Sequence, residues 1–302
     1  MLRFIVSSTV FAGFTAVVLA RQCQELTVSI SITSRNGNFT LEAPHIDVEV
    51  TNYIPNLVQP GRNYSQKLLL DYVDVGSTFD IAAAYCGPDS GPGRASQILT
   101  DGIGFDREYY PMSTTLLPRA TVHLHTIGSH RYAPWPPCSV TPSSPAIPAS
   151  YDKIFHVGHS FGSRLTYNLA ATYADEAISD GIVLMGFSHA TFLSDIRLTN
   201  PYFGISANSL SANELPQFAD YPEGYVAVDD KPALQTDSFA PGNFDADISM
   251  AAFKSAQPIT VGELLALNNP ANVNRTYAGP ILLVMRDKPP IIGIYSSIPA
   301  RS

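Results

Sequence analysis

Apolar and polar residues alternate from Glu25 to Thr33, with Leu26, Val28, Ile30 and Ile32 at every second position. That period predicts a strand with one buried face. Two more alternating stretches, 67–75 and 78–86, flank Val75-Gly76-Ser77 and predict an antiparallel hairpin at a sheet edge. Gln97-Ile98-Leu99-Thr100 reads as a short buried strand ending at Asp101-Gly102, and Lys153–Val157 as another. The pattern then changes period. Leu165, Leu169 and Tyr173 recur at i, i+4 and i+8, which predicts a helix over 161–174 with one face on a sheet. Gly181–Met185 and Pro280–Met285 are unbroken apolar runs, the pattern of parallel strands buried on both faces. Strands alternating with helices predict an α/β fold with a mostly parallel sheet and right-handed crossovers.

Two stretches stand apart from this alternation. Between the last two runs lie short helical patterns, Ile248–Lys254 and Val261–Leu267. An insertion there, over about 190–278, is expected to form a helical cap above the carboxyl ends of the strands, where α/β sheets bind ligands. Residues 112–150 contain Pro118, Pro134, Pro136, Pro137, Pro142, Pro145 and Pro148, with no clean period beyond Thr121–Ile127. An α/β sheet would place a further strand and crossover helix in that stretch.

Composition narrows the class. The chain has 302 residues, 45% hydrophobic and 15% charged, which suits one large globular domain. Its net charge is −8 and no basic run occurs, so nucleic acid and anionic membrane surfaces are not expected partners. Residues 1–20 begin with a single cation, Arg3, continue through an apolar stretch and end in Val18-Leu19-Ala20. This is the pattern of a cleaved signal peptide rather than a membrane anchor, so the expected location is extracellular and the expected domain is 21–302. Sequons at Asn38, Asn63 and Asn274 agree with that reading. Of Cys23, Cys86 and Cys138, at most two can pair; Cys23 with Cys86 is the expected disulfide, because both border strands of the N-terminal sheet. Neither CxxC nor zinc-spaced histidines occur, and no cofactor or metal is expected.

The candidate chemistry centres on Gly158-His159-Ser160-Phe161-Gly162. In a GxSxG motif a serine sits on a tight strand-to-helix turn with its Oγ exposed, and the small flanking residues let the turn close. Here the motif follows an expected strand and opens an expected helix, as such an elbow requires. Gly186-Phe187-Ser188-His189-Ala190 is a partial copy, with alanine at the last glycine position and a poorer helix behind it. The backbone N–H groups of Phe161 and of Ile103, in the Gly102–Phe105 loop, are the expected oxyanion donors.

Several segments together resemble a family of secreted fungal α/β-hydrolases (AB hydrolase-1-like). They are Ile81–Pro92 with Ala82-Ala83-Ala84-Tyr85-Cys86-Gly87, Leu99–Arg107 with Asp101-Gly102-Ile103-Gly104-Phe105, Val157–Ser163, Asp180–Ser188 and Val261–Leu265. The resemblance covers most of 20–111 and 151–285. It implies a three-layer αβα fold, a Ser-His-Asp triad and hydrolysis of an ester-like or related acyl bond of a small molecule. It also implies an acid after the strand ending at Met285, where Asp287 stands, and a histidine after a further strand. The chain departs from the family in three ways: Asp101 stands where the family has histidine, the strand before the elbow is replaced by the proline-rich stretch, and the sequence stops before the expected histidine. The histidines are His45, His123, His125, His130, His156, His159 and His189. His156 is expected in the core and His159 to point away from the attack side. His189, at the carboxyl end of a strand, is the expected substitute base. The expected site is therefore Ser160 with Asp287 and His189, working at reduced efficiency. The alternative is an inactive α/β-hydrolase scaffold, serving as a binding protein or altered at 112–150 and 286–302.

Overall fold

The computed structural model describes residues 22–40, 44–57, 64–87, 94–105, 120–124, 151–187, 210–228, 230–239, 244–266 and 277–285, with 42 and 242. The expected signal segment, all of the proline-rich stretch but 120–124, Ser188, His189 and Asp287 lie outside them.

Two long strands open the fold. β1 (Gln22–Phe39) pairs antiparallel with β2 (Leu69–Gly87) along nearly its whole length. The hairpin expected at Val75-Gly76-Ser77 does not exist: these residues pair in register with Ser34, Thr33 and Ile32, so one ladder runs straight through. The real connection between the strands is 40–68, which contains helices Asp47–Leu57 and Tyr64–Leu68. An 18-residue partner keeps Gly76 extended, and tertiary pairing overrides its turn propensity. At the base of the ladder Cys23 faces Cys86, and the two form a disulfide.

The main sheet continues with β3 (Ala95–Thr100), β4 (Ala120–Leu124), β5 (Lys153–His159) and β6 (Gly181–Met185), and ends with β10 (Ile281–Val284). The strand order is β1-β2-β4-β3-β5-β6-β10, antiparallel at β1/β2 and β2/β4 and parallel thereafter. β4 corrects the reading of 112–150. A strand is present there, paired on one side with β2 and on the other with β3. Its five residues contain no proline, so every one keeps the N–H that a ladder needs.

The helix Phe161–Thr172 packs on one face of the sheet. Ala170, Ile182, Leu184 and Phe187 form the core under it, joined by Tyr167 and Tyr277. Leu99 and Val157, with Val183 and Met185, pack on the opposite face. The alternation of Ile182 and Leu184 against Val183 and Met185 is what a strand covered on both sides requires. β10 departs from that expectation. It pairs with β6 on one side, yet Ile281, Leu282, Leu283 and Val284 are all exposed, so its apolar run does not make it a doubly buried strand.

The region expected to form the cap contains the two expected helices, as Ala246–Lys254 and Val261–Ala266, together with a helix Lys231–Ser238 and a small antiparallel sheet that the apolar pattern did not announce. This sheet is β7 (Leu210–Ser211), β8 (Tyr225–Ala227) and β9 (Ile259–Thr260), in the order β7-β8-β9. Its strands of two or three residues are too short to show a period. Asp230 and Asp245 cap two of the helices, Asp230 accepting the Ala233 N–H and Asp245 the N–H groups of Asp247 and Ile248. The segment after β1 is tied into the cap: Ser211 N–H donates to Asp47 Oδ1 at 2.7 Å, and Gly224 N–H to the Pro44 carbonyl at 3.3 Å. The whole is an α/β fold with a mostly parallel sheet, and residue Gln257 of the region after β6 reaches the loop that follows β3.

Candidate active site

Ser160 follows β5 directly and precedes the first residue of the helix Phe161–Thr172. Its backbone has φ 52° and ψ −115°, a conformation that L-residues rarely adopt. Such a conformation costs roughly 1–3 kcal/mol and persists only where the surroundings over-determine it. Those surroundings are visible. Ser160 N–H donates to the Met185 carbonyl at the end of β6, at 2.8 Å. Its own carbonyl accepts from Ser163 N–H at 3.1 Å and Arg164 N–H at 3.4 Å, which starts the helix.

The two glycines of the motif are dictated by close approach. A Cβ on Gly158 would stand 2.4 Å from the Gly162 carbonyl oxygen, and one on Gly162 would stand 2.2 Å from the Thr100 oxygen and 2.3 Å from that of Asp101. The helix start, the strand before it and the end of β3 therefore meet backbone to backbone. Any side chain larger than hydrogen would push them apart.

The expected oxyanion loop lies against this elbow. A Cβ on Gly102 would be 3.2 Å from His159 Nδ1 and 3.5 Å from Ser160 Cβ. Gly102 thus sits beside the serine, and opens a turn closed by Phe105 N–H donating to the Gly102 carbonyl. The cap holds the far side of the turn: Gln257 N–H donates to the Gly104 carbonyl at 2.8 Å. Phe161, as the first helical residue, has an N–H with no intrahelical acceptor. The elbow and the loop therefore bring Ser160 and Gly102 together, with Phe161 and Ile103 the next residue of each segment.

His156 sits in the middle of β5, between Ile98 and Ile182 of the neighbouring strands, and is buried. Its position in the core is as expected, but its Nδ1 is not satisfied by any hydrogen bond. Burial pushes its pKa down to about 4, so the ring is neutral at pH 7. His159 packs against Gly102, beside the oxyanion loop. His45 lies on the surface with Nδ1 2.5 Å from Glu223 Oε2. His123 belongs to β4. The other expected site residues, His189 and Asp287, follow β6 and β10 beyond the described residues. The two strands are coupled at that end, where Gly186 N–H donates to the Val284 carbonyl at 3.1 Å. Asn38 is an exposed residue of β1, while Asn63 and Asn274 are outside the described residues.

Two structural features escaped the sequence reading. Ser163, at the start of the elbow helix, is fully buried and donates to strand carbonyls. Thr260 and Glu263 form a capping box for the helix Val261–Ala266: Thr260 N–H donates to Glu263 Oε2 at 2.8 Å, and Glu263 N–H to Thr260 Oγ1 at 3.1 Å. The T-x-x-E spacing signalled the box. Nothing local signalled that the carboxyl would be enclosed. Burial raises its pKa to about 7, against the opposing hydrogen bonds from Thr260. Among the described residues no group of three or more His, Cys, Asp or Glu side chains could hold a metal ion, and no helix is long and apolar enough to cross a membrane.

No protein-family model and no curated protein matches the chain. Among solved structures it is similar to a lipase in an open form, with 17% identity, a TM-score of 0.38 and coverage of 68% of this chain and 75% of that one. It is also similar to epoxide hydrolase A from Mycobacterium thermoresistibile, with 14% identity, a TM-score of 0.40 and coverage of 71% and 81%. A third neighbour is an N-acyl homoserine lactonase complexed with N-butanoyl homoserine, with 10% identity, a TM-score of 0.42 and coverage of 70% and 76%. What those proteins act on stays with them. The strand order and the strand–elbow–helix unit, with Ser160 at its apex, are this chain's own.

Proposed function

We propose that this chain is a secreted serine hydrolase-like protein that acts on an ester-like or related acyl bond of a small molecule through Ser160. The observation that carries the proposal is the positive φ of Ser160 between a parallel strand and a helix, held by hydrogen bonds on both sides. Strain of this kind gathers where a side chain must be presented to a ligand. In the proposed reaction Ser160 Oγ attacks the acyl carbonyl carbon and its proton passes to a base, for which His189 is the candidate. The Phe161 and Ile103 N–H groups stabilise the oxyanion. The alcohol or other leaving group departs with a proton, and water then releases the acid from the acyl-serine. Asp287 is the candidate for orienting the base.

The serine alone is a weak nucleophile, so the rate depends on His189 reaching it. Catalysis from the oxyanion donors and binding survives the loss of a triad member at a much reduced level. A fluorophosphonate probe tests the reading. Stoichiometric modification of Ser160, identified by peptide mass spectrometry and absent in Ser160→Ala, is the expected result. Absence of labelling would instead favour a scaffold that binds without turnover. Secretion is supported by the signal-like residues 1–20 and the sequons, and N-terminal sequencing of the exported protein would test it.

A further inference from the structure

The Ser163 hydroxyl occupies an unusual place for a residue in the first turn of a helix. Its Oγ is 2.7 Å from the carbonyl of Gly158 and 2.8 Å from that of Met185, and its side chain is fully buried. Its one proton is shared between the end of β5 and the end of β6. The Met185 carbonyl is the same one that accepts the Ser160 N–H. The oxygen that fixes the serine's amide is thus itself fixed by Ser163, and both of its lone-pair directions are used.

Packing alone does not require this arrangement. Thr166 on the same helix and Ser96 on β3 are comparably buried, and neither hydroxyl has a hydrogen-bond partner. The fold tolerates idle buried hydroxyls, whereas that of Ser163 bridges the two strands that define the elbow. We infer that Ser163 is a positioning residue, holding Ser160 in its positive-φ geometry by clamping the Gly158 and Met185 carbonyls together. The inference rests on Ser160 being the nucleophile of the proposed reaction. Ser163 acts through the backbone and touches no reacting atom.

Its test compares Ser163→Thr with Ser163→Val, two side chains of nearly equal shape that differ by the hydroxyl. Fluorophosphonate labelling of Ser160, followed over a range of probe concentrations, should show a limiting rate at least tenfold slower in the valine variant. The half-saturating concentration should be unchanged between the two. Thr166→Val, which removes an idle hydroxyl from the same helix, should label within twofold of the unmodified protein. Equal rates in the Ser163 pair, or an equal fall in Thr166→Val, would overturn the inference. Amide exchange of the peptide spanning 158–162, read by mass spectrometry, needs no chemistry at Ser160. The clamp requires at least tenfold faster exchange in the valine variant than in the threonine variant, and equal exchange would refute it. An unlabelled wild-type protein would remove the nucleophile reading by itself, leaving the exchange result to decide on the clamp.

Discussion

β6 and β10 carry nearly the same message in sequence, Gly-Ile-Val-Leu-Met and Ile-Leu-Leu-Val, and they pair with each other in parallel register. Their fates differ. Ile182 and Leu184 of β6 are each 1% exposed, while Leu282 and Leu283 of β10 are 58% and 42% exposed. β6 has β5 on its other side and the elbow helix across its face. An apolar run therefore states what a strand can bury; its neighbours decide what it does bury. The consequence for the site is direct. The strand ends that hold Ser160 are locked into a filled core, whereas the strand that leads to Asp287 is held among the described residues by one ladder. The elbow that carries Ser160 is structurally over-determined, and among the described residues β10 is not.

The sharpest way to break the central unit is Gly158→Ala. A methyl placed 2.4 Å from a backbone oxygen forces the strand and helix apart, and a loss of several kcal/mol in denaturant unfolding is expected. The comparison itself predicts that Leu184→Ala lowers stability by about 2–5 kcal/mol, while Leu283→Ala changes it by less than about 1 kcal/mol. Similar losses in both variants would show that β10 is buried in solution.

A pH series sharpens the contrast between the sheet and the cap, because each hides one titratable group. His156 has a folded pKa near 4, below its usual 6.5, so its contribution is complete above about pH 6.5 and is lost as pH falls towards 4. Glu263 has a folded pKa near 7, above its usual 4.5, so its contribution is greatest below about pH 4.5 and is lost as pH rises towards 7. Each effect is on the order of 3 kcal/mol, and the two oppose each other between pH 4.5 and 6.5. Glu263→Gln keeps the capping acceptor but removes the titration. Its stability should rise with pH by about 2–3 kcal/mol across that window, while the unmodified protein's dependence on these two groups stays nearly flat. A smaller effect than these is expected in the helix Ala246–Lys254, where Asp245→Ala removes the acceptor for two N–H groups and should cost about 1 kcal/mol.

What the sequence made legible was local. The strand before Ser160, the helix after it and the glycines between them lie within a short span, and their period and spacing expressed the elbow directly. The misreadings concern pairing at a distance. Gly76 looked like a turn because its partner, Thr33, is remote in the chain; β4 hid among prolines because its partners are β2 and β3. Ser163 was visible as a residue but not as a clamp, because one of its acceptors belongs to β6. The enclosure of Glu263 likewise depends on the cap's packing rather than on its T-x-x-E signal.

The central claim is that the strained, clamped elbow presents Ser160 as a nucleophile. Pre-steady-state hydrolysis of an activated p-nitrophenyl ester tests this most directly. The expected trace is a burst of p-nitrophenol approaching one equivalent per chain, followed by slow turnover as the acyl-serine accumulates, with no burst in Ser160→Ala. A trace without a burst and indistinguishable from that of Ser160→Ala would contradict the account.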